Sequence, residues 1–129
     1  MNLNELAQLY DFKNKTAVIT GGTGVLGGEI ACALVGCGAN VVVLDRNPNL
    51  PDALKQPMDA GPGKYMVAYA DVLDRALLES ARETIEAAFG DVHFLINAAG
   101  GNHPQATTNP ERACCQYTPE SLPGIRGQT

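Results

Sequence analysis

Short apolar runs alternate along the chain with longer amphipathic stretches, from about residue 16 to residue 96. Unbroken apolar runs are typical of strands that are buried on both faces, as in a parallel sheet. The stretches between them repeat apolar residues every three or four positions, as helices do. The pattern therefore predicts strands at residues 16–20, 41–44, 64–70 and 92–96, with helices between them.

The helix predicted after the first strand carries an apolar stripe that should face the sheet. The members of this stripe are Leu26, Ile30 and Leu34. Gly38 is expected to end the helix, because the left-handed conformation costs least at glycine. A shorter amphipathic helix is expected before the first strand, where it would cover one edge of the sheet with Leu3, Leu6 and Leu9.

The helix predicted before the fourth strand has clear start and stop signals. Asp74 is its expected N-cap, and Gly90 is expected to end it. Its apolar stripe consists of Leu78, Ala81, Ile85 and Phe89. A weaker helix is predicted over residues 51–58, and Gly61 follows as a breaker.

Strands that alternate with helices imply an α/β fold with a parallel sheet and right-handed crossovers. The pattern predicts the N-terminal part of a Rossmann-type doubly wound sheet with strand order 3-2-1-4, truncated before its fifth strand. Two helices should cover one face, and the helix at 74–89 the other. Residues 1–111 are expected to form this half-domain, and residues 112–129 an irregular or disordered tail. The open fourth strand predicts low stability.

A glycine cluster follows the first strand and opens the first long helix. Gly22, Gly24 and Gly27 fit the pattern G-x-G-x-x-G, in which the chain turns tightly and its backbone approaches a pyrophosphate. The free N–H groups and the dipole at the start of the helix favour a phosphate there. Asp45 ends the second strand, where a carboxylate can accept from both ribose hydroxyls of an adenosine. Together these features predict a site for a dinucleotide.

The charge of Asp45 would repel a 2′-phosphate, so the sequence favours NAD over NADP. Arg46 could hold that phosphate instead, which keeps NADP as the alternative. Two further segments, Asp71-Val72 and residues 97–100, follow the third and fourth strands. Ligands of such sheets bind at the carboxyl ends of the strands, so we expect all these segments to converge on one site.

Composition limits the classes of function. The chain has 129 residues, of which 45% are hydrophobic, and its net charge is −5. These values fit a globular protein and argue against a nucleic-acid or anionic-membrane partner. The sequence shows no signal-peptide core and no membrane-spanning run, so a cytoplasmic location is expected. The four cysteines have no ligand spacing, and we expect no metal site.

Over about residues 10–111 the chain resembles the short-chain dehydrogenase/reductase family. The matching elements are Thr20-Gly21, Gly27, Asp45, Asp71-Val72 and Asn97-Ala98-Ala99-Gly100. The family pattern T-G-x-x-x-G-x-G is altered here, because Val25 stands at the middle glycine position. A narrower resemblance, carried above all by the run LINAAGGNHPQATTNPE, is to the D-mannonate oxidoreductase (D-fructuronate reductase) branch.

The resemblance implies an NAD(P)-dependent oxidoreductase that transfers a hydride between the coenzyme and a sugar-acid-like substrate. It implies pyrophosphate binding by Gly21, Gly22, Thr23, Gly24, Val25 and Leu26. It implies ribose binding by Asp45 beside Arg46, adenine contacts from Asp71 and Val72, and support of the nicotinamide-side ribose by Asn97, Ala98, Ala99 and Gly100. The alternative for Asp71 is a turn or N-cap acid, and for Asn97 a residue that bonds the backbone and stabilises the sheet. In each case both roles can hold together.

The resemblance places the family's serine and its Y-x-x-x-K pair in a later half of the chain, so we assign no catalytic residue and expect this fragment alone to be inactive. Tyr117 is followed four residues on by Ser121, not by lysine. Asn102 and His103 either contact a hydroxy-acid substrate or form a surface turn.

The alternatives to an oxidoreductase are a non-catalytic dinucleotide-binding or sensing protein and an epimerase or dehydratase of the extended relatives. A homo-oligomer is expected only for a full-length form.

Overall fold

A computed structural model describes residues 1–101 of the chain. The chain divides into two compact units, Met1–Ala99 and Gly100–Thr129, and the fold is that of the first. Its elements are α1 (Leu3–Leu9), β1 (Thr16–Thr20), α2 (Val25–Gly36), β2 (Asn40–Asp45), α3 (Asp52–Ala60), β3 (Lys64–Tyr69), α4 (Arg75–Phe89) and β4 (Phe94–Asn97). The predicted boundary at residue 111 and the predicted tail lie outside the described residues.

The strands form one parallel sheet in the order β3-β2-β1-β4. This confirms the predicted α/β fold and its strand order. Successive residues of a strand point to opposite faces, so the apolar runs supply a core on both sides of the sheet. No helix among residues 1–101 is long and apolar enough to cross a membrane.

Each face of the sheet has its own apolar cluster. The cluster under α4 consists of Val18, Val42, Leu44, Ala68, Ala70, Ala81 and Ile85. The cluster under α2 and α3 consists of Ile19, Ala31, Val35, Ala39, Val41, Val43 and Met58. The prediction that two helices cover one face and α4 covers the other is therefore confirmed.

The face of α2 that packs on the sheet is not the predicted one. Its buried residues are Gly27, Gly28, Ala31 and Val35. The side chains of Leu26 and Ile30, assigned to the stripe from spacing, are 78% and 38% exposed. The prediction was wrong for Leu26 and Ile30, whereas Leu34 of the same stripe is half-buried and packs against the cluster under α2 and α3. Because α2 is apolar on most sides, spacing alone does not identify the packed face. The small residues pack instead, since they let the helix backbone approach the strands closely.

α1 forms where it was predicted, but none of its residues is buried. Its start is fixed locally by a capping box, in which the Asn2 side chain accepts from the Glu5 N–H and the Glu5 carboxylate accepts from the Asn2 N–H, both at 2.9 Å. The expectation that α1 covers a sheet edge with Leu3, Leu6 and Leu9 is therefore wrong. A capping box stabilises a helix whether or not the helix packs.

Most of the remaining elements follow their predicted signals, but three of the four residues of β4 are exposed, whereas its apolar run predicted a buried strand. Asp74 caps α4 by accepting from the Leu77 N–H at 3.2 Å, and Gly90 ends the helix with a φ of 74°. β4 begins at Phe94, two residues later than predicted, where it pairs with Ala17 of β1. These elements bring the carboxyl ends of all four strands to a single edge, because every neighbouring pair is parallel.

Candidate functional site

The strand register aligns the ends of the strands at this carboxyl edge. Thr20 at the end of β1 pairs with Leu44 of β2 and with Asn97 of β4. Asp45 at the end of β2 pairs with Tyr69 of β3. The segments that follow β1, β2, β3 and β4 therefore all start at one edge, which is where ligands of open α/β sheets bind.

The turn after β1 fits between the end of β2 and the segment after β4. Gly21 has a φ of 68° and donates its N–H to the Leu44 carbonyl at 2.8 Å. A Cβ at this position would lie 2.8 Å from the backbone N and Cα of Ala99, closer than real Cβ atoms approach. Both the backbone conformation and the space therefore require glycine here.

α2 starts directly on this turn. Gly24 donates its N–H to the Gly21 carbonyl at 3.1 Å and then serves as the N-cap of α2, with no side-chain hydrogen bond to the helix start. The turn consequently presents backbone to solvent, and the positive end of the helix dipole lies at the sheet edge. A site of this kind fits a phosphate group, because the turn is built from glycines and no capping side chain stands in front of the helix N-terminus.

The carboxylate of Asp45 is bound by the glycine turn itself. The Thr23 hydroxyl donates to Asp45 Oδ2 at 2.6 Å, and the Thr23 N–H donates to the same oxygen at 3.2 Å. The other oxygen, Oδ1, accepts from the Asn47 N–H at 3.1 Å. These bonds join the two elements that the sequence predicts for dinucleotide recognition, although only their proximity could be inferred from the pattern.

These hydrogen bonds also favour the ionised form of Asp45. Partial burial raises the pKa of Asp45, but hydrogen bonds from the Thr23 side chain and from the backbone N–H groups of Asn47, Thr23 and Arg46 together leave it below its usual value. The ion pairs found among residues 1–101 involve neither Asp45 nor Arg46, and the Arg46 side chain is exposed. The charge at the end of β2 is therefore stabilised by dipoles and not by a cation in this part of the chain.

Asp71 shapes the turn between β3 and α4. Its Oδ1 accepts from the Leu73 N–H, and its carbonyl accepts from the Asp74 N–H, both at 3.0 Å. Of the two interpretations of Asp71, the structure thus supports the turn acid, and contact with an adenine stays a prediction. Val72 beside it is 44% exposed at the same edge of the sheet.

The segment after β4 is attached to the end of β1 by Thr20. The Ala98 N–H donates to the Thr20 carbonyl at 3.1 Å, and the Ala99 N–H donates to the Thr20 hydroxyl at 3.2 Å. Thr20 is buried, and sequence reasoning gave it no role in the site. The available signal was a hydroxyl at the end of an otherwise apolar strand. Asn97 is exposed at the same edge.

The other candidate residues lie elsewhere. Gly100 opens the second unit and is exposed, while Asn102, His103 and Tyr117 lie outside the described residues. His93 belongs to the opposite end of the sheet, where its Nδ1 accepts from the Thr16 N–H at 3.1 Å. That bond connects the start of β1 to the segment before β4, so His93 has a structural contact away from the carboxyl edge.

Comparisons with known proteins match this arrangement. The sequence profile of a family described as short chain dehydrogenase matches residues 15–116. An uncharacterized oxidoreductase of Bacillus subtilis, UxuB, is 47% identical over 97 residues, which cover 75% of this chain and 35% of that protein. The matched part of the chain therefore contains every strand of the described sheet.

Two solved structures share the fold. One is a proposed D-mannonate oxidoreductase from Haemophilus influenza with bound NAD, with a TM-score of 0.71 and 31% sequence identity. The match covers 96% of this chain and 44% of that protein. The other is an NADPH-dependent 3-quinuclidinone reductase from Rhodotorula rubra, with a TM-score of 0.70 and 27% sequence identity. This match covers 88% of this chain and 43% of that protein. The chain thus spans less than half the length of each of these relatives.

Proposed function

Because the chain belongs to the short-chain dehydrogenase family, we propose that it is the coenzyme-binding part of an NAD(P)-dependent oxidoreductase. The coenzyme, when bound, supplies or takes up the hydride that is exchanged with a hydroxyl or carbonyl carbon of the substrate. The observation that carries the proposal is the direct hydrogen bond between Thr23 of the glycine turn and Asp45. It joins, at one sheet edge, the glycine turn and the acid at the end of β2, which in dinucleotide-binding folds serve the pyrophosphate and the ribose.

The pyrophosphate binds at the start of α2 in this proposal. The turn from Gly21 to Leu26 presents backbone N–H groups there, and the helix dipole favours an anion. Val25 and Leu26 are 84% and 78% exposed, although both are large apolar residues. This exposure supports the proposal, because a dinucleotide bound at the turn would cover apolar surface there.

The adenosine lies over the ends of β2 and β3 in this proposal. The Asp45 carboxylate accepts from the ribose hydroxyls, and its charge favours NAD over NADP. Arg46 is exposed next to it and is the residue that would accept a 2′-phosphate if NADP were used. Asp71 and Val72 flank the adenine, where the exposed part of Val72 offers an apolar contact.

In this proposal the nicotinamide side of the coenzyme passes the segment from Asn97 to Ala99. Ala98 and Ala99 are held through their N–H groups by Thr20, so the backbone of this segment is fixed against the glycine turn. A fixed segment can support the second ribose without first having to become ordered.

We assign a sugar acid as the substrate class, such as D-mannonate or D-fructuronate. The support is the similarity to the Haemophilus structure described above. The assignment is tested on a full-length form of the protein by following the absorbance of NADH with D-fructuronate, with the neutral sugar D-fructose as the control. Equal rates with both sugars would contradict it, because recognition of the carboxylate would then contribute nothing.

Coenzyme binding is tested by isothermal titration of the 129-residue chain with NADH and with NADPH. The Asp45→Ala variant should bind NADH roughly tenfold to a hundredfold more weakly, since it loses charge-assisted hydrogen bonds. The matched control is Asp91→Ala, which removes an exposed acid at the other end of the sheet and should bind as the wild type does. A folded wild-type chain that binds neither coenzyme would overturn the proposal.

A further inference from the structure

Thr23 is the residue in the glycine turn whose side chain reaches Asp45. Its hydroxyl and its N–H both donate to Oδ2, while the Asn47 N–H donates to Oδ1 from the other side. The carboxylate is therefore held by donors on both oxygens. A side chain fixed in this way cannot rotate out of the sheet edge unless it breaks the Thr23 bonds.

The Thr23–Asp45 pair presents a specific hydrogen-bonding pattern to a ligand. A carboxylate offers about four acceptor positions, and the two on Oδ2 are taken by Thr23. Oδ1 accepts from the Asn47 N–H at 3.1 Å, and the N–H of Arg46, which also lowers the pKa of Asp45, is another backbone donor at the carboxylate. The Thr23 hydroxyl uses its proton toward Asp45 and keeps its own lone pairs as acceptors. Two neighbouring acceptor atoms, Asp45 Oδ1 and Thr23 Oγ1, thus stand at the position proposed for the ribose.

We propose that Thr23 is a positioning residue that selects the coenzyme, because its hydroxyl fixes Asp45 in the orientation that accepts a ribose diol and repels a 2′-phosphate. The inference rests on the proposed function and adds a specificity role for Thr23. A vicinal diol brings two donors to two acceptors. A 2′-phosphate brings acceptors and negative charge, and neither the Asp45 carboxylate nor the Thr23 hydroxyl oxygen is complementary to them.

Without the Thr23 hydroxyl, the Asp45 carboxylate is held less firmly in its orientation. Released from Oγ1, the carboxylate gains rotamer freedom and can turn away from the coenzyme. Its repulsion of a 2′-phosphate then weakens, and the exposed guanidinium of Arg46 is next in sequence to approach that phosphate. Removal of one hydroxyl should therefore narrow the preference for NAD without changing the charge of the site.

The test compares Thr23→Val with Thr23→Ser in titrations with NADH and NADPH. Valine keeps the shape and the backbone N–H of threonine and loses only the hydroxyl, whereas serine keeps the hydroxyl. We expect the ratio of NADH affinity to NADPH affinity to fall roughly tenfold in Thr23→Val, the size of one lost charge-assisted bond. In Thr23→Ser the ratio should stay within about twofold of the wild type. An unchanged ratio in Thr23→Val would overturn the inference.

A second readout requires no coenzyme. The carboxyl carbon of Asp45 is titrated by NMR in the wild type and in both variants. The low pKa of Asp45 depends on the Thr23 hydroxyl, so it should rise in Thr23→Val and stay near the wild-type value in Thr23→Ser. An equal pKa in all three proteins would show that the hydroxyl does not hold the carboxylate, and would overturn the inference. Thr23→Ala serves the same comparison if Thr23→Val fails to fold.

The two readouts separate this inference from the proposed function. If the wild-type chain binds neither coenzyme, the proposed function fails and selection by Thr23 fails with it, whatever the NMR titration shows. If both coenzymes bind and the Asp45 pKa responds to Thr23→Val, but the affinity ratio does not, only the selection by Thr23 is overturned.

Discussion

Gly27 at the start of α2 lies so close to Gly21 that a Cβ on Gly27 would overlap the Gly21 carbonyl oxygen. The obstructing atom belongs to the backbone, and Gly21 is itself held by its hydrogen bond to the Leu44 carbonyl. Neither side can move without disturbing the turn or the end of β2. The absence of a side chain at Gly27 thus sets the distance between the start of α2 and the glycine turn.

Gly27→Ala should therefore lower both stability and coenzyme binding. We expect a loss of about 1–3 kcal/mol in the free energy of unfolding, as for an overpacked site, together with weaker NADH binding. Gly36→Ala is the matched control in the same helix, since a Cβ there meets no atom within 4 Å. It should leave stability unchanged or raise it by up to about 1 kcal/mol. Urea denaturation measures both, and equal stabilities of the two variants would contradict the prediction.

The hydrogen bonds to Asp45 should make the chain sensitive to acid. The folded-state pKa is lowered, so the stability it contributes is fully present above the unfolded value of about 3.9 and is lost as pH falls through the folded pKa. The free energy of unfolding should therefore decrease below about pH 4 more steeply in the wild type than in Asp45→Asn. Denaturant unfolding at several pH values measures the difference, with Asp91→Asn as the control. Parallel pH profiles for the wild type and Asp45→Asn would contradict this expectation.

Tyr65 should ionise at a higher pH than an ordinary tyrosine. Its hydroxyl donates to Asp59, and this bond, then burial, then the charge of Asp59 raise the pKa of Tyr65 to about 12. The folded pKa lies above the unfolded value of about 10, so the stability gained is present below about pH 10 and is lost as pH rises through about 12. Absorbance of tyrosinate should show a transition near pH 12 that moves lower in Asp59→Asn and disappears in Tyr65→Phe. A transition that persists in Tyr65→Phe would assign it to another tyrosine.

The core under α4 should depend strongly on Ile85. This residue is 3% exposed and belongs to the cluster that joins α4 to the sheet. Ile85→Ala should lower the free energy of unfolding by about 2–5 kcal/mol, through lost burial and the cavity left behind. Glu83→Ala, on the exposed side of the same helix, should change it by no more than about 0.5 kcal/mol. A small effect of Ile85→Ala would mean that α4 is held mainly by its ends.

Sequence signals predicted the sheet well because each signal has one physical cause. An unbroken apolar run such as Val41–Leu44 has few stable environments other than the middle of a covered parallel sheet. Asp74 and Gly90 bound α4 through backbone chemistry that depends little on the rest of the fold. The strand order then followed from the dinucleotide-binding pattern, and the handedness of the crossovers assigned each helix to a face of the sheet.

The packing of α2 and the bonds within the site could not be predicted in the same way. Leu26 and Ile30 are apolar residues at helical spacing, and nothing in that spacing shows that the small residues at Gly27 and Ala31 pack against the sheet instead. The bond from Thr23 to Asp45 joins residues on two different elements, and it depends on atomic positions that no local pattern encodes. The contacts of the site residues with a coenzyme stay predictions.

The hydrogen bond from Ala99 to the Thr20 hydroxyl joins two residues that are synthesised at very different times. It holds the Ala99 backbone, and Ala99 in turn lies against Gly21, although 79 positions separate Thr20 from Ala99. During synthesis the ribosome makes the turn and Asp45 long before it makes Ala99. A nascent chain that ends at α4 therefore lacks the backbone of Ala99 beside Gly21, and under the proposed function it should bind the dinucleotide only after that segment has been made.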